Sequence, residues 1–362
     1  MKRILVGYVQ DGRHSGIDKY LIGFCRVAHD EGVQLDLLTD EVTESMKECL
    51  DGFGFGLIAV PSLKRPIAQY NEIKSIIKQN GYDGVYANIS ESFNCMLLLA
   101  AKACHVPCRM AHSHSSGVDR AGKLSRLVRT ALNFVFRPIL NNATTHRYAC
   151  SVLAGKWLFG GADCTVIYNA VDAARFTFNA AARLNTRNEL DISDSMVYIH
   201  IGNFCYQKNH FFLMDVMSSI SKRADNAVLL CVGTGTDFDA VQDYANKLGI
   251  ADRVRFLGVR DDVPALLSAA DALIFPSRFE GLGIACIEAQ MSGLPCIIAD
   301  TLPRDAQISP NVKVLPLGNA ESWAQTALDA IGERKDAVLL DGALQNYDIA
   351  NQRRQLAEIL KG

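Results

Sequence analysis

The sequence lacks any uninterrupted run of about 18 or more apolar residues, the length a helix needs to cross a bilayer, so no segment reads as a membrane span. It also lacks an excess charge of either sign. Its 37 basic and 39 acidic side chains leave a formal charge of -2, which gives no global field of the kind that draws nucleic acid, and attraction to an anionic partner has to be local. A disulfide framework is missing too: the 11 cysteines spread from Cys25 to Cys296, an odd number cannot all pair, and a reduced, cytosolic chain is the simpler reading. Cys104 and Cys108 flank His105, but no second Cys/His pair stands at zinc spacing, so these thiols read as structural. The start, MKRILVGYVQ, has no small-residue cleavage site and reads as a first strand. Gly7-Tyr8-Val9-Gln10-Asp11-Gly12 does not spell G-x-G-x-x-G, which argues against an NAD-dependent oxidoreductase.

What is present is a repeated alternation of short apolar runs and helical stretches over 362 residues, long enough for two domains. Ile4 to Val9, Val33 to Leu38, Leu57 to Val60, Gly84 to Ile89 and Val106 to Ala111 alternate with helix-like segments such as Lys19 to His29 and Phe93 to Ala103. The regularity breaks at Leu124 to Asn142, and a polar stretch, Asn179 to Asp194, follows. It restarts at Met196 to Ile201, Val228 to Val232, Val254 to Leu257, Ala272 to Phe275, Cys296 to Ala299 and Val312 to Leu315. The pattern predicts an α/β protein of two doubly wound, Rossmann-like units, residues 1–170 and 171–344, with a helix at about 345–362 packing back on the first. Such sheets bind ligands at the carboxyl ends of their strands, so two of them facing one another make a cleft.

The most informative stretch runs from Pro276 to Gln290. Arg278 and Glu280 precede Gly281, Leu282 and Gly283, where the backbone is unshielded and a helix is about to begin. A helix N-terminus offers unpaired N–H groups to an anion, so the turn suits a phosphate. Glu288, eight residues beyond Glu280, falls inside the helix about two turns deeper. Two carboxylates so placed can accept from hydroxyls flanking a diphosphate, as in the ribose and hexose of a sugar nucleotide. Read in isolation, Glu280 is a helix cap and Glu288 a solvated helical residue.

This segment resembles the E-x7-E element of retaining GT-B glycosyltransferases, specifically glycosyltransferase family 4, of the capsular and exopolysaccharide type. Other matches follow in order. Ile201 to Asn209 resembles the family's strand-end glycine, Gly202, with its downstream lysine, Lys208. Val232-Gly233-Thr234-Gly235 is similar to its second glycine turn, and Asp252 to Gly258 to its next strand. Ser151, Lys156 and Phe159-Gly160, then Val166 to Asp172, match motifs of the first half. The resemblance implies that the C-terminal domain binds a nucleotide sugar, UDP-linked by expectation. Lys208 neutralises the diphosphate, Glu280 holds the transferred sugar and Glu288 the ribose, with no metal and no cofactor. The chain departs from the family at Asn203, where many members carry Arg. Arg278 is the candidate to replace that second cation, although an amide cannot reproduce a guanidinium fork.

The first domain is expected to face the acceptor, a glycan or lipid-linked oligosaccharide. Ala111-His112-Ser113-His114 ends a strand, and the resemblance places one of the two histidines beside the donor sugar; spacing leaves His112 and His114 equivalent. Asp11 to Gly16 is the loop after the first strand, with Gly16 the point of close approach. Asp237-Phe238-Asp239 spells D-x-D, but it opens a helix, where acids simply complement the helix dipole. Residues 120–147 carry Arg120, Lys123, Arg126, Arg129, Arg137 and Arg147 and no acid, beside an apolar stripe from Leu124 to Val135. That helix suits an anionic membrane surface or ordinary core packing with a basic face. The expectation is a cytoplasmic, peripheral enzyme whose domain closure excludes water from the donor. The alternatives are a nucleotide-sugar epimerase on the same fold, and a catalytically silent sugar-nucleotide-binding subunit.

Overall fold

The computed structural model describes residues 2–8, 16–120, 122–332, 334 and 338–361. The chain divides into two compact units. One comprises Met1–Val118, Gly122–Ala170 and Asn346–Gly362; the other comprises Asp119–Ala121 and Val171–Gln345.

The first unit holds a parallel sheet of seven strands: β1 (Arg3–Gly7), β2 (Gln34–Thr39), β3 (Gly56–Ala59), β4 (Gly84–Ile89), β5 (Cys108–Ser113), β6 (His146–Ala149) and β7 (Thr165–Val166), in the order β3-β2-β1-β4-β5-β6-β7. Side chains alternate strictly between two cores. Leu5, Leu38, Val85, Ala87 and Ala111 face one, with the helices Pro66–Asn80 and Met96–Ala103 over them. Ile4, Val6, Leu35, Leu37, Tyr86 and Met110 face the other, covered by the helix Gly16–Asp30 and by Leu356, Ile359 and Leu360 of the last helix, Ile349–Lys361.

The second unit repeats the plan with six parallel strands: β8 (Met196–Ile201), β9 (Ala227–Val232), β10 (Val254–Gly258), β11 (Ala272–Phe275), β12 (Cys296–Ala299) and β13 (Val312–Leu315), in the order β10-β9-β8-β11-β12-β13. β9, β11 and β12 are buried throughout and read as continuous apolar runs, as strands covered on both faces do. The polar stretch between the domains turns out to contain a helix, Ala180–Glu189, whose Arg183 and Arg187 point inward. Both pair with Asp271, at 2.6 and 2.7 Å, and donate to carbonyls at the end of the helix Val263–Ala269. Cations there satisfy the helix's last carbonyls and complement its dipole.

In each sheet the order reverses beside the first strand, between β1 and β4 and between β8 and β11. Two strand ends therefore lie side by side with their following loops diverging, which is where such folds hold ligands. Residues 9–15 of the loop after β1, with Asp11 among them, fall outside the described residues, and Gly16 starts the next helix.

The final helix is part of the first unit's core, since Leu360 is fully buried. Leu360→Ala should lower that unit's stability by about 2–5 kcal/mol in urea unfolding followed by circular dichroism. An unchanged midpoint would mean that the helix merely lies on the surface.

Candidate active site

In the second unit the loops after β8 and β11 meet. Gln207 and Lys208 sit on a short 3-10 turn, Tyr206–Lys208, and the next residue, Asn209, takes a left-handed conformation, φ 60°. Asn209 Nδ2 donates to the Pro276 carbonyl at 3.1 Å, and Arg278 N donates to the Gln207 carbonyl at 2.8 Å, so the two loops are bound to each other by one side-chain amide and one backbone N–H, both on backbone carbonyls.

That clamp brings the lysine and the first glutamate together. Lys208 Nζ lies 2.7 Å from Glu280 Oε1, and Gln207 Nε2 donates to Oε2 at 2.9 Å. Only 16% of the lysine side chain and 6% of the glutamate side chain are exposed. The ammonium also stands 4.7 Å from the centre of the Phe275 ring. A buried ammonium has three donors, so engaging Glu280 leaves it able to serve a second anion. Gly281, Leu282 and Gly283 follow, Gly283 with φ 88°, and the helix Ile284–Met291 begins directly after them with Glu288 in its second turn. Gln290 secures this helix from behind: its amide donates to the Ala306 carbonyl at 2.7 Å and its Oε1 accepts from the N–H groups of Ile308 and Ser309.

Of the buried polar side-chain atoms that lack a partner among the described residues, three belong to the two loops that carry the pair: Asn209 Oδ1, Ser277 Oγ and Arg278 Nε. Buried polar groups are nearly always bonded, so unbonded ones on these loops suit a polar ligand. The Arg278 guanidinium stacks over the Tyr206 ring at 4.6 Å, and Asn203 is exposed.

Backbone approach explains the glycines. A Cβ on Gly233, at φ 131°, would lie 2.2 Å from the Gly202 carbonyl oxygen, and one on Gly235 would lie 2.4 Å from that of Phe204. The turns after β8 and β9 thus touch main chain to main chain. Gly202 differs, because its Cβ would meet the methylenes of Lys208, at 2.8 Å from Cε.

In the first unit, His112 lies within β5 and is fully buried, whereas His114 lies just past the strand and is partly exposed. The rings stack at 4.2 Å, with Tyr20 set against both. Tyr86 Oη bridges Tyr20 Oη at 2.7 Å and His112 Nδ1 at 2.6 Å. His114 Nε2 meets Asn88 Oδ1 at 2.9 Å. Burial holds both imidazoles neutral, His114 down to about 3 and His112 also well below the usual range, with His114 adding to the depression of His112. His112 therefore supports the layer beneath His114 and presents no edge to solvent.

Sequence reasoning missed Gln207, Ser277, Asn88 and Tyr86. For the last two a signal existed, as they are polar residues inside the otherwise apolar run Gly84 to Ile89. Asp237 precedes the helix Phe238–Lys247 and its carboxylate accepts from Thr236 Oγ1; among the described residues no three His, Cys, Asp or Glu side chains gather as a metal site requires. All 11 cysteines are free thiols.

Residues 183–351 match the family described as Glycosyl transferases group 1. The chain is 29% identical over 343 residues to EpsF of Bacillus subtilis, named as a glycosyltransferase, covering 90% of this chain and 86% of that protein. It is 24% identical over 307 residues, 79% of this chain and 76% of the relative, to the UDP-Gal:alpha-D-GlcNAc-diphosphoundecaprenol alpha-1,3-galactosyltransferase of Escherichia coli. Its fold matches that of Anabaena HepE, solved with UDP-glucose, with a TM-score of 0.78 at 19% identity, over 100% of this chain and 99% of that one.

The glycine contacts separate two outcomes. Gly233→Ala collides with backbone and should cost more than about 2 kcal/mol of stability. Gly202→Ala should cost clearly less, because a lysine side chain can swing aside. Equal tolerance in thermal unfolding would contradict the close approach.

Proposed function

The protein is a glycosyltransferase whose C-terminal half is a group 1 domain, and from that premise we propose that it moves a hexose from a UDP-sugar to a glycan or lipid-linked acceptor, retaining the anomeric configuration and needing no metal. The observation that carries this is the buried Lys208–Glu280 pair, with unbonded polar atoms on the two loops that carry it, before the helix Ile284–Met291. Departure of a nucleoside diphosphate builds negative charge on its phosphates. Lys208, which keeps one N–H on Glu280, gives its others to the diphosphate, and the N–H groups after Gly281 and Gly283 add a fixed positive end. Arg278, stacked on Tyr206, supplies the second cation that Asn203 cannot. Gln207 and Lys208 orient the Glu280 carboxylate as an acceptor for sugar hydroxyls, and Glu288 takes the ribose.

With Glu280 engaged by a cation, no carboxylate is assigned as nucleophile, which agrees with departure and attack on one face of the sugar. His114, neutral and partly exposed, contacts the transferred sugar and positions it for the acceptor hydroxyl. UDP as the nucleotide is favoured by the named donor of the Escherichia coli relative and by the ligand of HepE. The lipid-linked acceptor and the setting in polysaccharide synthesis are likewise favoured by the relatives.

The proposal extends to a surface. The helix Lys123–Ala143 is turned inside out. Arg129 pairs with Glu91, Asn133 accepts from Ser92 N at 2.6 Å, and Arg137 donates to the Trp157 carbonyl, all toward the protein. Outward point Leu124, Leu127 and Val135, which are 74, 67 and 64% exposed, with Val128, Leu132, Phe134 and Ile139 beside them. An apolar face of this size is rarely left in water. Lys123 is exposed at its start, beside that face, so an anionic lipid surface suits it, at about 1 kcal/mol for a cation near the headgroups. No helix among the described residues is long and apolar enough to cross a membrane, so the contact is peripheral.

Three measurements test these claims. In a thermal-shift screen, UDP-sugars should stabilise the protein more than GDP- or ADP-sugars. Lys208→Ala should lower turnover by about 10²- to 10³-fold, and EDTA should leave turnover unchanged. A near-normal rate in Lys208→Ala would remove the phosphate role. Separately, vesicles containing phosphatidylglycerol should float the protein at low salt and release it at high salt. Leu124→Asp with Leu127→Asp should abolish flotation, and no flotation of the wild type at low salt would refute the surface.

A further inference from the structure

The contacts of His114 fix more than its position. Asn88 lies on β4, beside β5, and its Nδ2 donates to the Gly7 carbonyl at 3.2 Å. A carbonyl can only accept, so this bond settles which end of the amide is nitrogen. The other end, Oδ1, is the atom 2.9 Å from His114 Nε2, and it too can only accept. The proton in that contact must therefore sit on Nε2. A neutral imidazole carries a single N–H, which makes Nδ1 of His114 an acceptor. The described groups packed on the ring are Tyr20 from the helix Gly16–Asp30, His112 from β5 and Asn88 from β4, none of them charged at neutral pH.

We propose that Asn88 is a positioning residue that locks His114 in the Nε2–H tautomer, so that its Nδ1 is an acceptor and the ligand group it selects is a hydroxyl. This rests on the placement of His114 beside the transferred sugar. The opposite tautomer, or an imidazolium, would present an N–H that carbonyl, carboxylate and hydroxyl oxygens all accept, so Asn88 decides whether the histidine excludes substituents that can only accept. The layer below supports the ring: Tyr86 holds His112 and Tyr20, and both of these lie against the His114 ring.

The tautomer can be read directly in the ligand-free protein, labelled with 15N-histidine and observed in long-range 1H–15N spectra, with the His114 signal assigned by its loss in His114→Gln. The expected result is a neutral ring protonated at Nε2 in the wild type. Asn88→Ala should give a mixture of tautomers, and Asn88→Asp, which keeps an acceptor at that place, should retain Nε2–H. A wild-type Nδ1–H ring, or an unchanged spectrum in Asn88→Ala, overturns the proposal.

Turnover supplies an independent readout through UDP release from UDP-glucose or UDP-galactose. Asn88→Ala should slow it about 10- to 100-fold, as a misplaced contact does, and should have no further effect in a His114→Ala background. Multiplying effects would make Asn88 merely structural and overturn the proposal. If His114→Ala alone leaves turnover unchanged, it is the placement of His114 beside the sugar that fails, while the spectra still decide the tautomer. If Asn88→Ala does not fold, Asn88→Ser, whose short hydroxyl cannot span the same distance, replaces it in both measurements.

Discussion

A lysine and a glutamate buried together at 2.7 Å impose the central constraint on the second unit. Taking one charge out of water without the other carries a penalty of several kcal/mol, so the two loops that bear them must arrive together. The sheet order makes this possible. β8 and β11 are neighbours although 70 residues of chain separate them, because the intervening strands go to the other side of β8. The Asn209 side-chain amide and the Arg278 backbone N–H then tie the loops, and Lys208, just before the left-handed Asn209, lies over the Phe275 ring. The glycines serve the same end: Gly202 gives room to the lysine's methylenes, and Gly233 and Gly235 let the next turn press against the first.

In the first unit the stacked imidazoles of His112 and His114 are kept neutral by burial. A neutral ring is an asymmetric object, a donor at one nitrogen and an acceptor at the other, and it is useful only when something fixes which is which. Asn88, a side chain of β4, does that work for His114.

The helix Lys123–Ala143 shows how polar bonding can override amphipathic expectation. A helix usually turns its apolar stripe to the core. Here the loop after β4 and the carbonyl of Trp157 offer acceptors and donors that Arg129, Asn133 and Arg137 satisfy, and the apolar stripe is left outside. The basic side chains that sequence places beside that stripe therefore divide: Arg129, Arg137 and Arg147 bond to the protein, half-buried Arg126 falls on that same inward face, and Lys123 is exposed at the helix's start.

Much of this was legible in the order of residues. Apolar runs at strand spacing fixed the α/β class, because a strand buried on both faces has no other way to read. The glycines flanking Leu282 and the acids eight residues apart marked the anion-binding turn, since a helix start and its spacing are local properties. Tertiary structure decided what local pattern cannot hold. It paired Lys208 with Glu280 across 72 positions of sequence, and it distinguished His112 from His114, whose spacing is symmetrical until the strand ends between them. It also brought Gln207 and Asn88 to residues they do not neighbour in sequence, and turned a basic amphipathic helix outward. Sequence determines which groups are present and how each segment prefers to fold; only strand order and loop packing decide which groups share a desolvated space, and there an opposite charge or a single proton sets the chemistry.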